Sequence, residues 1–520
     1  MTRSGFRIAA LILLGALLAA NFYRAATQSI VHDEALTWQL YLSGPASAIF
    51  QSYTANNHFL ATVLFRISTA LFGPSEFAMR LPTVLAGAWF YWTVFRLCGL
   101  VLGDGWLFLL SCAALTLNPL LLDFMVAARG YGLAIAGLFW ALYQMLSWFH
   151  DRSTGLAADV LRKRLWKAAL GCSIAVATNL TFLMPVSLLA AAFGVLIVRA
   201  SETSASAGAP LSPLSSKARK KSKKTKLEAP RESTHPYTPL IHFAVPVIVL
   251  AVAFLLAAPI DLARSDDFYA GLPTAMQSLR DLMESSFAYG NGFHILHRIE
   301  QTCSNIALVF FPLTALAALI VVAATKRPFR SAPELATLLA SLAVVGSALL
   351  LIAAHLVSGI PYPQNRTGIY FIPLASLAAL GLARILVDRT GLPRSMGFAV
   401  AILLLSSTLE FAAQWNVKSF LVWRYDADTK RIFQVLEAAA KPPGQIRLGV
   451  SWVFEPALNY YREVRNAAWM APVERDGFNG VRQFYVVSVA DQPNAPWSQL
   501  KQIYRGPVSG SVVAIPKPAP

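Results

Sequence analysis

Residues 239–259 read PLIHFAVPVIVLAVAFLLAAP and contain no Lys, Arg, Asp or Glu. About 20 apolar residues in succession are enough to cross a hydrocarbon layer of roughly 30 Å as a helix. Similar segments recur along the 520-residue chain, in which hydrophobic residues make up 56% and charged residues 14%. A soluble protein of this length needs more polar surface to cover its core. The composition therefore predicts an α-helical polytopic membrane protein.

On either side of this segment we expect further spans, giving about eleven transmembrane helices in all. Their predicted bounds are 5–25, 77–98, 104–122, 127–149, 168–183, 185–199, 239–259, 303–324, 334–358, 367–387 and 395–413. The first segment, with Arg3 and Arg7 before its apolar run, also resembles a signal peptide. We favour a retained helix, and removal of the segment would leave the sidedness of the remaining spans unchanged.

The distribution of charge predicts the orientation of these spans. The net charge is +17, and much of the excess lies between apolar segments, as in RKRLWK at 162–167 and KARKKSKKTK at 217–226. Basic loops of this kind stay on the cytoplasmic side. The loop 260–302, in which acidic residues outnumber basic ones, then lies outside. These two basic segments contain one aromatic residue, Trp166, and no series of aromatic residues on which bases could stack, so we expect membrane lipids and no nucleic acid as their partners.

The sequence divides into a transmembrane domain, residues 1–413, and a small extracytoplasmic α/β domain, residues 414–520. Within the first, residues 26–76 form an external loop with surface helices, and residues 201–235 are a disordered basic cytoplasmic linker by composition. The second domain begins with an amphipathic helix around 426–440. The four cysteines are scattered along the chain without CxxC spacing, so they predict neither a disulfide framework nor a zinc site.

Two adjacent carboxylates, Asp33 and Glu34, follow the first span in the sequence VHDEALTW. Near lipid headgroups a loop needs polar residues, so ordinary loop polarity explains the pair about as well as chemistry does. Together with His32 and His58, however, they form a dense polar cluster in the first external loop.

Other predicted external turns carry further candidates. Asp123, Arg129 and Tyr131 lie around the short external turn between the third and fourth predicted spans, and Arg366 and Tyr370 lie in GIPYPQNRTGIYFIP at 359–373. Arg80 stands at the mouth of the second span. Arginine can hold a phosphate through a two-pronged contact, but structural ion pairs and interfacial belts of Arg and Tyr are equally common.

In order along the chain, the segments HDEA, NNHF, FGPSEFAMRLPTVLAG, NPLLLDFMVAARGYGLA and PYPQNRTGIYFIPL resemble the multispan glycosyltransferases of the GT-C type. Within that superfamily the chain looks most like the branch of the protein O-mannosyltransferases and the lipid A aminoarabinose transferases. The resemblance extends over residues 5–390 in layout, although each motif is short. It implies a catalytic pocket between the first external loop and the membrane, and a sugar donor carried on polyprenyl phosphate.

The resemblance also implies roles for individual residues. The first-loop aspartate of the family falls on Asp33 as general base for the acceptor hydroxyl, and Glu34 falls on the neighbouring acidic position. The basic residues that hold the donor phosphate correspond less closely to Arg80, Arg129 and Arg366. His58 stands where many members have a histidine. The His-Pro-Pro pattern of the eukaryotic protein mannosyltransferases is missing here, which argues against a protein acceptor.

Some members of the superfamily use a divalent cation and others do not. The candidate ligands here are His32, Asp33, Glu34, His58 and Asp123, and the sequence requires no metal. A lipid, a glycan or a protein remains open as acceptor, and the sugar is not specified.

The sequence therefore predicts an inverting glycosyltransferase that acts on the extracytoplasmic side, in a bacterial inner membrane with the active site facing the periplasm. A transporter or flippase for a lipid-linked sugar is the alternative. It would need intramembrane charges exposed alternately to both sides. A non-enzymatic scaffold would leave the external carboxylates and arginines unexplained.

Overall fold

The computed structural model describes residues 3–207, 237–263, 271–287, 294–324, 331–440, 444–480 and 482–518. Of the linker predicted to be disordered over 201–235, residues 201–207 are helical instead, because the preceding helix continues to Ala207, and the rest lies outside the described residues. The helices are α1 (Arg3–Thr27), α2 (His32–Thr37), α3 (Phe59–Phe72), α4 (Glu76–Leu102), α5 (Trp106–Thr116), α6 (Pro119–Phe124), α7 (Gly130–Ser153), α8 (Ala158–Thr178), α9 (Leu183–Ala207), α10 (Thr238–Ala257), α11 (Ala275–Phe287), α12 (His294–Ala323), α13 (Ala332–Ser358), α14 (Phe371–Val387), α15 (Leu392–Ala413), α16 (Thr429–Ala439) and α17 (Glu455–Val464).

Within the described residues, nine helices are long and apolar enough to cross a membrane: α1, α4, α7, α9, α10, α12, α13, α14 and α15. The predicted polytopic helical class is confirmed. The remaining two predicted spans are also helical, but they differ in form. Residues 104–122 are divided into α5 and α6, because Asn118 caps a new helix that starts at Pro119. Residues 168–178 belong to α8, which starts ten residues earlier and includes the basic segment RKRLWK, whereas Leu183 already begins α9.

Helices α7 and α8 pack backbone against backbone through two glycines. A Cβ added to Gly137 would lie 2.9 Å from the carbonyl oxygen of Gly171, and a Cβ on Gly171 would lie 2.8 Å from that of Gly137. Small residues at helix crossings allow this approach in membrane bundles. At the start of α7, a Cβ added to Gly130 would collide with the carbonyl oxygen of Thr178 and with the His58 side chain. The crossing therefore fixes where residues 129–131 lie relative to the first loop.

The two ends of the bundle are held by different ion pairs. At one end, Arg7 of α1 pairs with Asp104 before α5 at 2.6 Å. At the other, Arg24 of α1 pairs with Asp123 of α6 at 2.5 Å, and the backbone N–H of Leu421 donates to the same carboxylate at 2.6 Å. The loops predicted to be external thus gather at the second end, beside the C-terminal domain.

The C-terminal domain contains a four-stranded sheet in the order β1-β2-β4-β3, as the sequence predicts for a small α/β unit. Its strands are β1 (Leu448–Val450), β2 (Phe484–Val487), β3 (Leu500–Arg505) and β4 (Val512–Pro516). Strands β1 and β2 are parallel, with α17 between them in the chain, and the other pairings are antiparallel. Helix α16 occupies the predicted amphipathic segment, and α17 packs against α2 of the first loop.

Candidate active site

Asp33 and Glu34 lie in the first turn of α2, where negative charge is favoured by the helix dipole. Glu34 also accepts a hydrogen bond from the backbone N–H of Val31, at 3.1 Å, which fixes the entry into the helix. Because neighbouring helical residues point about 100° apart, the two carboxylates face different surroundings. Glu34 points into the protein, and Asp33 points toward the segments at the second end of the bundle.

Glu34 is completely buried and holds Arg80. The guanidinium donates to both carboxylate oxygens, from Nε at 2.9 Å and from Nη2 at 2.6 Å, and Ala128 N–H donates to Oε1 at 2.7 Å. Arg80 also donates to the carbonyl oxygens of Gln28 and Ser29. This buried network ties α2, α4 and the 126–129 segment together. Neither side chain reaches the surface.

Asp123 and Tyr370 are likewise enclosed. The Asp123 carboxylate is engaged by Arg24 and by the Leu421 backbone, and its side chain is 3% exposed. Tyr370 packs between Phe182, at 5.5 Å between ring centroids, and Phe371, at 4.6 Å. The structure therefore does not bring Glu34, Arg80, Asp123 or Tyr370 to the surface beside Asp33.

Asp33 is the partly exposed carboxylate of the cluster, with 13% of its side chain accessible. Its Oδ2 lies 2.9 Å from Nη2 of Arg366 and 3.7 Å from Nη2 of Arg129. The Trp423 side chain donates a further hydrogen bond to it. Arg366 also lies over the Trp423 ring, 5.5 Å from its centroid. Tyr131 contacts both Arg366 and His58, so four segments that are distant in sequence surround the Asp33 carboxylate.

The two arginines are held to different degrees. Arg129 is 2% exposed and donates to the Asn56 side chain at 2.5 Å and to the Ala55 carbonyl at 3.0 Å. Arg366 is 25% exposed, and the Tyr131 hydroxyl is a further partner. Arg129 is therefore a fixed charge, whereas Arg366 has room to turn toward a ligand.

The charges in the cluster set the ionisation of its members. Burial raises the pKa of Asp33, but the charges of Arg129 and Arg366, with smaller contributions from His32 and from the Trp423 hydrogen bond, hold this pKa below its ordinary value. Burial lowers the pKa of His58 well below its ordinary value, and the same two arginines lower it further. At neutral pH the cluster therefore contains an ionised carboxylate, two guanidinium groups and a neutral imidazole.

His58 lies near Arg129 and Arg366, and one of its ring nitrogens is available for a hydrogen bond. Its ring is packed edge-on against Tyr131, with 5.2 Å between centroids, and 9% of the residue is exposed. Within the described residues its Nε2 has no hydrogen-bond partner. A neutral imidazole nitrogen in this position can donate to, or accept from, a hydroxyl of a bound ligand.

Sequence reasoning missed the residues that the segment after α15 contributes. Trp423 is hydrogen-bonded to Asp33. Tyr425 lies close enough to Asp33 and Arg366 to interact electrostatically with both. His32, next to Asp33, donates from Nδ1 to the Val453 carbonyl at 2.8 Å, and its backbone N–H donates to Asp426 at 2.7 Å. The only signal was the run of aromatic residues at 420–425, FLVWRY, directly after the last span.

The proposed metal ligands do not come together as a ligand set. Among the described residues, no group of three His, Cys, Asp or Glu side chains is arranged to hold a metal ion. Glu34 forms an ion pair with Arg80, and Asp123 forms one with Arg24. The His32 ring donates a hydrogen bond to the Val453 carbonyl. The arrangement does not fit a metal, and no step below passes through one.

Comparison with known proteins yields likenesses only to solved structures. No family model matches the chain, and no curated protein matches it. The crystal structure of ArnT from Cupriavidus metallidurans bound to undecaprenyl phosphate is 14% identical, with 97% of each chain covered and a TM-score of 0.42. The archaeal oligosaccharyltransferase AglB from Archaeoglobus fulgidus, in complex with an inhibitory peptide and a dolichol-phosphate, is 12% identical, with 98% of this chain and 75% of that chain covered and a TM-score of 0.42.

The arabinosyltransferase EmbB from Mycobacterium smegmatis is 10% identical, with 88% of this chain and 42% of that chain covered and a TM-score of 0.40. Likenesses of this size concern the general course of the chain and carry no evidence about its reaction. The fold class rests on the chain itself, which is an integral membrane protein of many helices with a small α/β domain at one end.

Proposed function

We propose that this chain is a membrane glycosyltransferase that moves a sugar from a polyprenyl-phosphate donor to an acceptor hydroxyl on the extracytoplasmic side. The observation that carries the proposal is the Asp33 carboxylate, partly exposed and flanked by Arg366 and Arg129 at the mouth of a membrane bundle. The motif order along the sequence supports the same assignment. Hydroxyl activation needs a carboxylate base, and a lipid phosphate needs cations, within reach of one another.

In this scheme the donor phosphate binds to the two arginines. Guanidinium groups match phosphate oxygens in a two-pronged geometry, and Arg366 is exposed enough to turn from Asp33 to the ligand. When the phosphate pairs with the arginines, their charges lower the pKa of Asp33 less, and the effect of burial raises this pKa. The carboxylate thereby becomes a stronger base when the donor is present.

Asp33 then removes the proton of the acceptor hydroxyl as its oxygen attacks the anomeric carbon. The bond between that carbon and the phosphate oxygen breaks, and polyprenyl phosphate leaves with the electron pair. Arg129 and Arg366 stabilise the charge that develops on the leaving phosphate. Direct displacement inverts the anomeric centre. Glu34, Arg80 and Asp123 act as positioning residues, since they hold α2, α4 and α6 behind the site.

Asp33→Asn tests the base assignment. The amide keeps the size of the side chain but cannot accept a proton at neutral pH, so we expect transfer to fall by about 10²–10⁴-fold. Transfer is measured in membranes with a labelled polyprenyl-phosphate sugar, and donor binding is measured alongside and should persist. The anomeric configuration of the product, determined by NMR, should be inverted.

Glu34→Gln is the comparison, because it changes an equivalent group in the next residue. It should lower the melting temperature more than Asp33→Asn does, since it leaves Arg80 buried without its charge partner.

Normal transfer by Asp33→Asn would refute the assignment of Asp33 as the base. Transport of the lipid-linked sugar across sealed vesicles without any transfer would favour a flippase. The proposed location is a bacterial inner membrane with the site facing the periplasm.

A further inference from the structure

A cleft of about 850 Å³ lies in the C-terminal domain, at the carboxyl ends of β1 and β2. These strands are parallel, so both end on the same side of the sheet, and the residues that follow them, Val453 and 488–490, line the cleft. In open α/β sheets, ligands bind in the crevice outside the carboxyl ends of the parallel strands. We therefore expect a ligand of this domain to bind at the carboxyl ends of β1 and β2.

The opposite wall of the cleft is positively charged. It consists of the turn 506–510 between β3 and β4 and of residues 424–425. Of the described residues that line the cleft, the charged ones are Arg424 and Arg505, and both are exposed. Arg505 has no ion-pair partner within the part of the chain that the structure describes. Two guanidinium groups in one cleft favour an oxyanion.

The turn that forms this wall is rigidly held. Oδ2 of Asp428 accepts hydrogen bonds from the backbone N–H groups of Val508, at 3.0 Å, and Ser509, at 2.7 Å, and from the Ser509 hydroxyl at 2.7 Å. A Cβ on Gly506 would collide with the same carboxylate. The Asp428 carboxylate is thus engaged by the turn, and these contacts hold the turn in place without a ligand.

The cleft adjoins the candidate active site through two of its own lining residues. Val453 accepts the hydrogen bond from His32, which precedes Asp33 in the chain. Tyr425, the neighbour of Arg424, interacts electrostatically with Asp33 and Arg366. A ligand anchored in the cleft would therefore extend toward the Asp33 carboxylate from the side of the aqueous domain.

We propose that this cleft binds the acceptor through a phosphate or carboxylate group, held by Arg424 and Arg505. The role as acceptor site rests on the proposed transferase function. The anion site itself does not, because it can be measured without any reaction. The acceptor is then an anionic molecule, and its reactive hydroxyl lies within reach of Asp33 when its charged group occupies the cleft.

The test uses full-length protein in detergent, with inorganic phosphate as the probe and acetate in a parallel titration. Three proteins are compared: the parent, the double variant Arg424→Gln with Arg505→Gln, and Arg447→Gln. All three also carry Arg366→Gln, so that an anion beside Asp33 contributes less to the signal. Arg447 is an exposed arginine directly before β1, at the amino end of that strand and away from the cleft, and its substitution controls for the loss of one surface positive charge.

We expect the double variant to bind phosphate at least about tenfold more weakly than the parent, with Arg447→Gln unchanged. Tighter binding of phosphate than of acetate would identify a phosphate-bearing acceptor, and the reverse a carboxylate. No binding by the parent, or an equal loss in Arg447→Gln, would overturn the proposal. Failure of the natural protein to transfer sugar in membranes would refute the transferase function while leaving the phosphate titration interpretable.

Discussion

At the scale of single residues, the adjacent carboxylates of α2 show how one helical step separates two roles. Glu34 is buried and fully engaged by Arg80 and backbone N–H groups, which makes it part of the structure. Asp33 reaches the surface, and its charge is balanced by two arginines that come from other segments. Their different environments follow from the direction in which each side chain leaves the helix.

Arg366→Gln should move the acid limb of the pH–rate profile to higher pH. Burial raises the pKa of Asp33 and the arginines lower it, so loss of one arginine raises this pKa. In the natural protein the carboxylate stays ionised down to pH values below the ordinary aspartate range, and activity that depends on it is lost only when the pH falls below that pKa. The measurement is kcat/KM for the donor across a pH series, because this ratio reports the ionisation of the enzyme before the donor binds.

Arg447→Gln is the control for this series, because the same charge is removed far from Asp33. An Arg366→Gln profile that coincides with that of the control would show that Arg366 does not govern the ionisation of Asp33. The variant should also bind the donor more weakly, since one of the two proposed phosphate contacts is lost.

At the scale of elements, the crossing of α7 and α8 positions the residues of the candidate active site. The glycine contact lets the helices touch, and the start of α7 then brings Arg129 and Tyr131 against His58. The helix break at Asn118 has a comparable effect, because the short α6 turns Asp123 toward Arg24. Two local features of the sequence, glycines at the crossing and an Asn-Pro pair, thus determine where the polar residues meet.

Gly171→Leu should destabilise the protein and reduce transfer. The added side chain would collide with the Gly137 backbone and with Ala141, and overpacking of this kind costs about 1–3 kcal/mol of unfolding free energy. The melting temperature in detergent measures the effect. Gly15→Leu in α1 is the control, since a Cβ there meets nothing within 4 Å. Equal melting temperatures for the two variants would contradict the close crossing.

At the scale of the whole molecule, the C-terminal domain is packed onto the first loop as part of the same site. The Tyr461 hydroxyl accepts a hydrogen bond from Ile30 N–H at 3.0 Å and donates to Glu76 at 3.0 Å, and Lys430 pairs with the same glutamate at 3.0 Å. The segment that leads into the domain carries Trp423. The domain therefore supports α2 and completes the surroundings of Asp33.

Tyr461→Phe should loosen this packing. It leaves the buried Ile30 N–H without its partner, which costs about 1–3 kcal/mol, and removes the donor to Glu76. Proteolysis within residues 414–520 should become faster, and transfer should decrease. Tyr23→Phe, at an exposed position of α1, is the matched control. Identical proteolysis rates in both variants would show that the domain is held without this contact.

The sequence by itself determined the class of the molecule. Runs of apolar residues predict membrane helices because unpaired backbone groups are too costly in lipid, and short alternating runs such as QIRLGVSW at 445–452 and RQFYVVSVA at 482–490 predict the strands of the small sheet. The cluster of Asp33, His58, Arg129, Tyr131 and Arg366 was also predicted as a set of candidates, since polar side chains at a membrane boundary are few. Local composition is sufficient for all of these conclusions.

Only the tertiary structure decided which candidates share a surface. Glu34, Arg80, Asp123 and Tyr370 carry the same residue types as the cluster, yet each is buried by packing partners that are distant in the chain, such as Arg24 for Asp123. Trp423 and Tyr425 entered the site because the domain folds back onto the first loop. Such contacts depend on helix crossings and domain packing, and these long-range interactions leave no local signature in the sequence.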